Sequence, residues 1–263
     1  MFDKRSILEN VSKPDDKLFL AKALDQAYCC LRGFEKKFVE FSDPYKISEF
    51  LRITKDKIQI NYMIFGGFDD AERKMIGFAP DYEQIEKEDF PITAVCISYN
   101  SRFGQKLSHR DFLGSLIGLG IVRDKLGDIV CFEDGAYVFT ESSVSDFICY
   151  NLEHVGKVKV RAKITDNFEF LNIKSGLEKN ITVSSLRLDA VLSSVFNLSR
   201  GKTADLIKGE KVFINWSMES NVSKNVKIED IITIRGIGRV KINELSGHTK
   251  KDRLVLSITR YGK

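Results

Sequence analysis

The chain has 263 residues, 43% hydrophobic and 30% charged, which is enough for one to three domains with buried cores. Its formal net charge of +4 is small, but the charge is unevenly placed: residues 181–263 carry 15 Lys and Arg against 8 Asp and Glu. Residues 1–180 carry 26 against 29. Basic residues concentrated in one part of a chain are typical of nucleic-acid-binding proteins.

Neither the start of the chain nor its cysteines indicate export or metal binding. The first ten residues, MFDKRSILEN, contain no apolar signal region, and no apolar run is long enough to span a bilayer, so we expect a cytoplasmic protein without a membrane partner. The five cysteines lack Cys-x-x-Cys spacing and are predicted to be reduced core thiols. They are Cys29, Cys30, Cys96, Cys131 and Cys149.

Residues 1–82 are predicted to form an α+β N-terminal domain without visible chemistry. Apolar residues three or four positions apart predict a helix from Asp15 to about Phe41, after Pro14. A second helix is predicted from Tyr45 to about Ile53. Strands are predicted over Lys57–Phe65 and Lys74–Phe78.

Residues 83–171 are predicted to form a β-α-β-β-α-β domain, the order of ferredoxin-like and RRM-like domains. Ser108 and Asp111 have capping-box spacing at the start of its first helix. Four strand aromatics could stack on RNA bases as in an RRM, but the RNP1 pattern is absent and the residue types favour a core. They are Tyr99, Phe132, Tyr137 and Phe139.

The same domain offers a candidate phosphate site at a helix start. His109 and Arg110 could bind a phosphate there, because helix N-termini attract anions. Alternatively, Asp111 caps the helix while His109 and Arg110 are solvated or pair locally. Arg123 and Lys125 could extend this surface. The sequence does not decide between these interpretations.

Residues 181–263 are predicted to form two helices and a small sheet. An apolar stripe of Leu188, Val191, Leu192 and Val195 predicts a first helix capped by Ser184 or Ser185. Ser199 is predicted to cap a second helix, and Gly209 to end it in a left-handed conformation. Strands are then predicted over 211–215, 240–245 and 253–259, and a linker over 172–179.

This pattern resembles the S4 RNA-binding domain, through Arg187-Leu-Asp189, Ser199-Arg200, Ala204, Leu206-Ile207, Gly209, Val212-x-Ile-Asn215 and Asp230-x-Ile. The resemblance implies two helices on a small sheet that bind structured RNA; many S4 domains have Gly where this chain has Trp216. Basic side chains neutralise RNA phosphates and release counterions. The candidate RNA-binding residues here are Arg187, Arg200, Lys202, Lys208, Lys211, Asn215, Arg235 and Arg239.

Two of these assignments have alternatives within the sequence itself. Lys202 and Lys208 could simply flank Asp205 on a solvated helix face. Thr233, Arg235, Arg239 and Lys241 are separated by even steps and would share one face of a regular strand, so Arg235 and Arg239 are expected to extend the S4 binding face. Lys250 and Lys251 lie in a predicted turn that is either a solvated basic turn on an edge hairpin or an RNA contact, and we expect them to contribute only electrostatic steering.

A second resemblance covers essentially the whole chain. The segment LSHRDFLGSLIGLGIVRDKLGDI (Leu107–Ile129), with Ile76-Gly77-Phe78 upstream and the S4-like region downstream, resembles the bacterial YlmH family. The resemblance implies a non-enzymatic protein that binds ribosomal RNA and tRNA on the large ribosomal subunit, near peptidyl-tRNA, in translation quality control. We expect a monomer without a small-molecule cofactor.

Two other functions remain open at this stage. An RNA-modifying enzyme with an S4 targeting domain is one, because Arg187-Leu-Asp189 resembles a pseudouridine synthase triplet. However, its surroundings are not those of such an active site, and the sequence has no P-loop and no His-Glu-x-x-His pattern. The other is a protein–protein adaptor, which would not need Arg187, Arg200 and Lys202 on one face.

Overall fold

A computed structural model describes residues 2–9, 11, 14–55, 57–69, 71–100, 106–166, 177–249 and 252–261. The chain divides into two compact units, Met1–Glu169 and Phe170–Lys263, each with its own core. The mixture of helices and sheets predicted from the sequence is confirmed. The finer division into domains 1–82, 83–171 and 181–263 stays a prediction. No helix in the described ranges is long and apolar enough to cross a membrane.

The first unit begins with three helices and a three-stranded antiparallel sheet. The helices are α1 (Lys4–Glu9), α2 (Pro14–Gly33) and α3 (Pro44–Thr54), and the strands are β1 (Lys37–Ser42), β2 (Asn61–Phe65) and β3 (Lys74–Ala79). The strand order is β1-β3-β2. The side chain of Asp43 accepts a hydrogen bond from the Lys46 N–H and caps α3, so the second predicted helix is confirmed.

The predicted helix from Asp15 to Phe41 is wrong in its last part. Helix α2 ends at Gly33, and Phe34 takes a left-handed conformation (φ 54°) that turns the chain. Residues from Lys37 onward form β1, in which Val39 and Phe41 are buried and Val39 pairs with Ile76. Pairing with a distant strand therefore overrides a local spacing that also fits a helix.

The rest of the first unit is a four-stranded antiparallel sheet with two helices. Its elements are β4 (Ile92–Ser98), α4 (His109–Gly118), β5 (Leu126–Phe132), β6 (Gly135–Glu141), α5 (Ser142–Asn151), β7 (His154–Val155), β8 (Val158–Lys159) and β9 (Arg161–Ile164). The order β5-β6-β4-β9 is that of a ferredoxin-like sheet, with β7 and β8 added as a short hairpin. Asp111 accepts hydrogen bonds from the Ser108 N–H (2.8 Å) and hydroxyl (2.6 Å), which confirms the predicted capping box.

Arg73 joins the two sheets of the first unit. Its partly buried guanidinium donates to the carbonyl oxygens of Leu126 (2.8 Å), Phe41 (2.8 Å) and Arg123 (3.2 Å). In the opposite direction, the carboxylate of Asp128 accepts from the backbone N–H groups of Glu72 (2.7 Å) and Arg73 (3.2 Å). The boundary predicted between residues 82 and 83 is therefore crossed by hydrogen bonds between partly buried groups.

The second unit is a six-stranded antiparallel sheet with two helices on one face. Its elements are β10 (Leu177–Val183), α6 (Leu188–Phe196), α7 (Arg200–Lys208), β11 (Val212–Ile214), β12 (Ser217–Met218), β13 (Ile231–Ile234), β14 (Gly238–His248) and β15 (Leu254–Tyr261). The strand order is β10-β15-β14-β13-β11-β12. The predicted apolar stripe of α6 is fully buried against the sheet.

Several local expectations for this unit need correction. Leu177–Lys179, the end of the predicted linker, belongs to β10 and pairs with β15, while residues 172–176 lie outside the described residues. The residue that caps α6 is Arg187, not Ser184 or Ser185. Gly209 ends α7 with φ −80°, and the left-handed residue is Glu210 (φ 57°). These differences move element ends by a few residues and leave the order of elements unchanged.

Candidate nucleic-acid interface

The two helices of the second unit present basic side chains at their N-terminal ends. Burial of the α6 stripe leaves Arg187, the residue before the helix, about half exposed. Helix α7 buries Thr203 and Ile207, so Arg200 and Lys202 in its first turn are exposed. Ser199 accepts a hydrogen bond from the Lys202 N–H (3.2 Å), which confirms the predicted cap of α7. Arg187, Arg200 and Lys202 are called the helix surface below.

The buried carboxylate of Asp189 binds one arginine of the helix surface and lies within the electrostatic reach of a second. Its side chain is only 9% exposed and accepts from Arg187 Nε (3.0 Å) and Nη2 (3.4 Å). Burial raises the pKa of the Asp189 carboxyl, but the hydrogen bonds and charge of Arg187, assisted by the charge of Arg200, outweigh it and hold the pKa below its usual value. The carboxylate is therefore ionised at neutral pH and orients the Arg187 guanidinium, while the Arg200 guanidinium contributes its charge and donates to the Ser184 hydroxyl at 2.6 Å.

Lys208 and Lys211 lie away from this cluster. Both are exposed, but they follow the far end of α7, and Lys208 is eight residues after Arg200. At 1.5 Å per residue this is a displacement of about 12 Å along the helix axis. The structure thus places Arg187 and Arg200 beside one carboxylate, with Lys202 in the same helical turn as Arg200. It does not bring Lys208 and Lys211 to that point.

Arg235 and Arg239 lie on the opposite face of the sheet from the helices. Ile232, Ile234 and Val240 are buried in the core shared with α6 and α7, and side chains alternate along a strand. The outer face therefore carries a cross-strand row of Phe213, Thr233, Arg239 and Tyr261. Strand alternation places Arg239, and the contact with Phe213 places Arg235, on the face away from the helices; the expectation that both extend the S4 binding face stays a prediction.

The outer row is organised by two stacked cation–aromatic pairs. The Arg235 guanidinium lies 4.9 Å from the centroid of the Phe213 ring. The Arg239 guanidinium lies 5.9 Å from the Trp216 ring centroid, and its Nε donates to the Thr233 hydroxyl at 3.0 Å. Phe213, Trp216, Arg235 and Arg239 are called the sheet surface below.

The predicted single strand through Thr233, Arg235, Arg239 and Lys241 is instead a hairpin. Strand β13 ends at Ile234 and β14 begins at Gly238, so Thr233 and Arg239 are neighbours because their strands pair. Lys241 forms an ion pair with Glu229 at 2.7 Å. Lys250 and Lys251, the expected steering residues, lie outside the described residues.

Asn215 has a structural role in the turn between β11 and β12. Its side-chain amide donates to Asp230 Oδ1 (2.8 Å), and its side-chain oxygen accepts from the Ile231 N–H (2.9 Å). Both Asn215 (φ 48°) and Trp216 (φ 64°) are left-handed, as a two-residue hairpin turn requires. Contact with RNA through the Asn215 side chain would compete with these bonds.

In the first unit, the candidate phosphate site reduces to two residues. His109 and Arg110 are exposed at the start of α4. Arg123 is turned inward and donates to the carbonyl oxygens of Leu126 (2.7 Å) and Gly127 (3.2 Å). Burial, with the charge of Arg73 nearby, lowers the pKa of Arg123 to about 10, so it stays charged at neutral pH. Lys125 lies 3.6 Å from Glu141.

The aromatic side chains of the middle sheet belong to the core. Tyr99, Tyr137 and Phe139 are buried. The Phe139 ring packs against Phe68 (4.8 Å between centroids), and Phe132 packs against Tyr137 (5.0 Å). These rings are consequently not arranged as an open platform for RNA bases.

Sequence reasoning did not single out Phe213 or Trp216 for the interface. Trp216, the only tryptophan, was noted solely because it replaces a glycine. The sequence did contain a signal for Trp216, because it is an aromatic residue in a turn next to a basic strand. For metals, the described residues contain no group of three or more His, Cys, Asp or Glu side chains that could hold an ion.

Comparison with known proteins agrees with these observations. A family model described as "Putative RNA-binding domain in YlmH" matches residues 86–169. The "Ribosome-associated protein quality control protein P2" of Bacillus subtilis (strain 168) is 33% identical over 250 residues, covering 94% of this chain and 96% of that protein. The solved structure "Cell division protein ylmH from Streptococcus pneumoniae" is similar in fold, with 21% identity, a TM-score of 0.51, and coverage of 59% of this chain and 94% of that one. By the extent of these matches, the chain belongs to the YlmH family.

Proposed function

We propose that this protein is a non-enzymatic RNA-binding protein that acts on the ribosome in translation quality control, in the cytoplasm. The observation that carries the proposal is the helix surface, where the buried Asp189 carboxylate orients Arg187, the Ser184 hydroxyl binds Arg200, and Lys202 lies in the same helical turn as Arg200. The ribosome association in the name of the Bacillus relative and the match to an RNA-binding family model support a ribosomal RNA target. We further propose that the contacts are to ribosomal RNA and tRNA on the large subunit.

The helix surface suits a folded RNA because its arginines are positioned before RNA arrives. The Asp189 carboxylate fixes Arg187, and the Ser184 hydroxyl accepts from Arg200 Nη2 at 2.6 Å. A guanidinium that is already ordered loses less conformational freedom when it binds a phosphate, and it can make two parallel hydrogen bonds. We therefore assign most of the RNA affinity to phosphate contacts at this surface.

The triplet Arg187-Leu-Asp189 fits this structural role better than a catalytic one. The Asp189 carboxylate is buried and occupied by Arg187, and the backbone N–H of Leu188 donates to the Lys224 carbonyl oxygen at 2.8 Å. A catalytic carboxylate would need access to the nucleobase on which it acts. The Asp189 carboxylate lacks that access in the observed geometry. The arrangement therefore favours RNA binding over RNA modification.

The test is ribosome co-sedimentation of the Arg200→Glu, Lys202→Glu double variant. Because reversed charges repel phosphates, we expect this variant to lose ribosome association while its circular dichroism spectrum stays that of the wild type. The matched control is Arg5→Glu, Lys17→Glu, which makes the same charge change at exposed helix positions of the first unit. Wild-type co-sedimentation of the first variant would refute the proposed role of the helix surface.

Salt dependence and crosslinking complete this test. A milder Lys202→Ala variant should flatten the log–log dependence of binding on salt concentration by about one unit if Lys202 contacts one phosphate. Crosslinking of the bound wild-type protein should then recover ribosomal RNA and tRNA fragments of the large subunit. Crosslinks confined to ribosomal proteins would instead indicate an adaptor.

A further inference from the structure

The sheet surface is a second basic area, separated from the helix surface by the sheet itself. Its aromatic rings are not needed for the core of the second unit, which lies on the other face of β13 and β14. Phe213 and Trp216 are partly exposed, and each is in contact with an arginine. We propose that this surface binds unpaired RNA nucleotides by stacking their bases on Trp216 and Phe213, an inference that rests on the proposed RNA-binding function.

The chemistry of the sheet surface matches an unpaired nucleotide. Bases stack on aromatic rings and on guanidinium planes, and the arginine charge attracts the adjoining phosphate. The hydroxyls of Thr233 and Tyr261 lie in the same cross-strand row and can hydrogen-bond sugar or phosphate oxygens. This row of four residues contains no carboxylate, and Lys241, two positions after Arg239, is paired with Glu229 at 2.7 Å.

The backbone at Trp216 gives an independent reason to assign it a role. A left-handed conformation is unfavourable for a bulky side chain, and glycine or asparagine is the usual residue there. Asn215, the preceding residue, is tied to Asp230 and Ile231, so the turn is firmly held. The tryptophan at this position places a large ring at the tip of the hairpin, next to Arg239.

The geometry favours unpaired RNA over a duplex. Bases inside a duplex are stacked on each other, so a protein ring can stack only on bases that are splayed out. A flat sheet also cannot enter the deep, narrow major groove of an A-form helix. The helix surface would bind phosphates of folded RNA, while the sheet surface would hold a loop or bulge.

The only tryptophan of the chain provides a direct readout. The full-length protein is titrated with a six-nucleotide single-stranded RNA and, separately, with a blunt-ended RNA duplex in which every base is paired. We expect saturable quenching of Trp216 fluorescence by the single strand and much weaker quenching by the duplex. Absence of quenching by the single strand, or equal quenching by both, would overturn the inference.

Two substitutions at one position separate stacking from folding. Trp216→Gly removes the ring at a position where glycine is favoured, so the hairpin is retained, whereas Trp216→Phe keeps an aromatic ring. With a fluorescently labelled single strand, Trp216→Gly should weaken binding by about 5- to 150-fold, the range for one stacked base. Trp216→Phe and the control Arg5→Glu, Lys17→Glu should stay within a few-fold of the wild type. Wild-type affinity in Trp216→Gly would refute the proposal.

Failure of this inference can be told apart from failure of the proposed function. If the wild type co-sediments with ribosomes through Arg200 and Lys202 but gives no quenching, only the stacking surface is wrong. If the wild type does not co-sediment at all, the proposed function itself fails. A photoreactive group placed at position 216 should crosslink to RNA on the ribosome, and crosslinks to protein alone would contradict a nucleotide-binding role.

Discussion

Asn215 is a single residue that the sequence predicts to bind RNA and that the structure shows holding a turn. Its side chain satisfies Asp230 and the Ile231 N–H, and its own backbone N–H donates to the Ile231 carbonyl oxygen at 2.8 Å. Asparagine is one of the few residues that adopt a left-handed conformation readily. The residue type that suits an RNA base edge suits this turn for the same reasons of size and polarity.

Replacing Asn215 tests this role. We expect Asn215→Ala to lower the free energy of unfolding by about 2–3 kcal/mol, from two lost hydrogen bonds of about 1 kcal/mol each and a left-handed penalty of about 1 kcal/mol. Asn215→Gly loses the bonds but escapes the penalty, so it should be the milder change. Urea unfolding followed by Trp216 fluorescence measures both, and equal losses in the two variants would contradict the backbone part of the argument.

Helix caps at the same scale were partly predictable from the sequence. Ser199 caps α7 as expected, because serine is a preferred N-cap residue directly before an apolar helical pattern. Ser184 and Ser185 are not the caps because four residues separate the end of β10 at Val183 from the start of α6 at Leu188, and the last of the four, Arg187, is the cap. The signal for a cap is a residue type, and it cannot locate the first helical residue when several polar residues precede the helix.

At the scale of elements, Arg73 connects two sheets that look separable in the sequence. Its guanidinium serves carbonyl oxygens at the end of β1 and at the start of β5. Arg73 was not singled out from the sequence, because its importance comes from three carbonyl groups distant in the chain. A single arginine among many charged residues carries no local sign of burial.

Removal of this side chain should weaken the first unit strongly. We expect Arg73→Ala to cost about 3–5 kcal/mol, because buried carbonyl oxygens lose a charged donor whose hydrogen bonds are worth about 1.5–3 kcal/mol each before water compensates. Thermal unfolding followed by circular dichroism measures the loss. Arg5→Ala, at an exposed position of α1, is the control and should change stability by less than about 0.5 kcal/mol. Similar midpoints for both variants would show that Arg73 is not the connection we infer.

The error in the first long helix has the same physical origin. The spacing of Phe34, Phe38 and Phe41 fits a helix, while the alternation of Val39 and Phe41 fits a strand. The choice is made by β3, whose residues pair with β1 from more than thirty positions away. Helices α6 and α7 were predictable because their apolar residues recur with helical spacing. Strands β1 and β10 were not, because each depends on pairing with a distant strand.

For the whole molecule, two compact units with separate cores predict two unfolding events. Leu192→Ala in the second unit and Leu116→Ala in the first remove equally buried helix side chains and should each cost about 2–5 kcal/mol. Trp216 fluorescence reports only the second unit. Hence Leu192→Ala should shift the fluorescence transition, and Leu116→Ala should shift the circular dichroism transition while the fluorescence midpoint stays in place. A fluorescence shift in Leu116→Ala would mean that the units unfold together.

At this scale the uneven charge was the most informative sequence feature. The excess of basic residues lies in residues 181–263, which contain both basic surfaces. It could not separate the two surfaces, because Phe213, Trp216, Arg235 and Arg239 come together only through the pairing of β11, β13 and β14. The sequence identifies the basic residues. The side of the sheet on which each of them lies depends on the register of the paired strands.

Pairing of β10 with β15 sets an order of events for the folding of the second unit. Among the described residues, strand β10 pairs only with β15, and about 70 residues separate even their closest paired residues, Val183 and Leu254. Closing so long a loop costs entropy before any contact repays it, so this pairing should form late. A ribosome that synthesises this chain exposes β10 well before its partner exists. Until β15 has been synthesised, the exposed charges of Glu178 and Lys179 on the unpaired β10 disfavour its pairing with other chains.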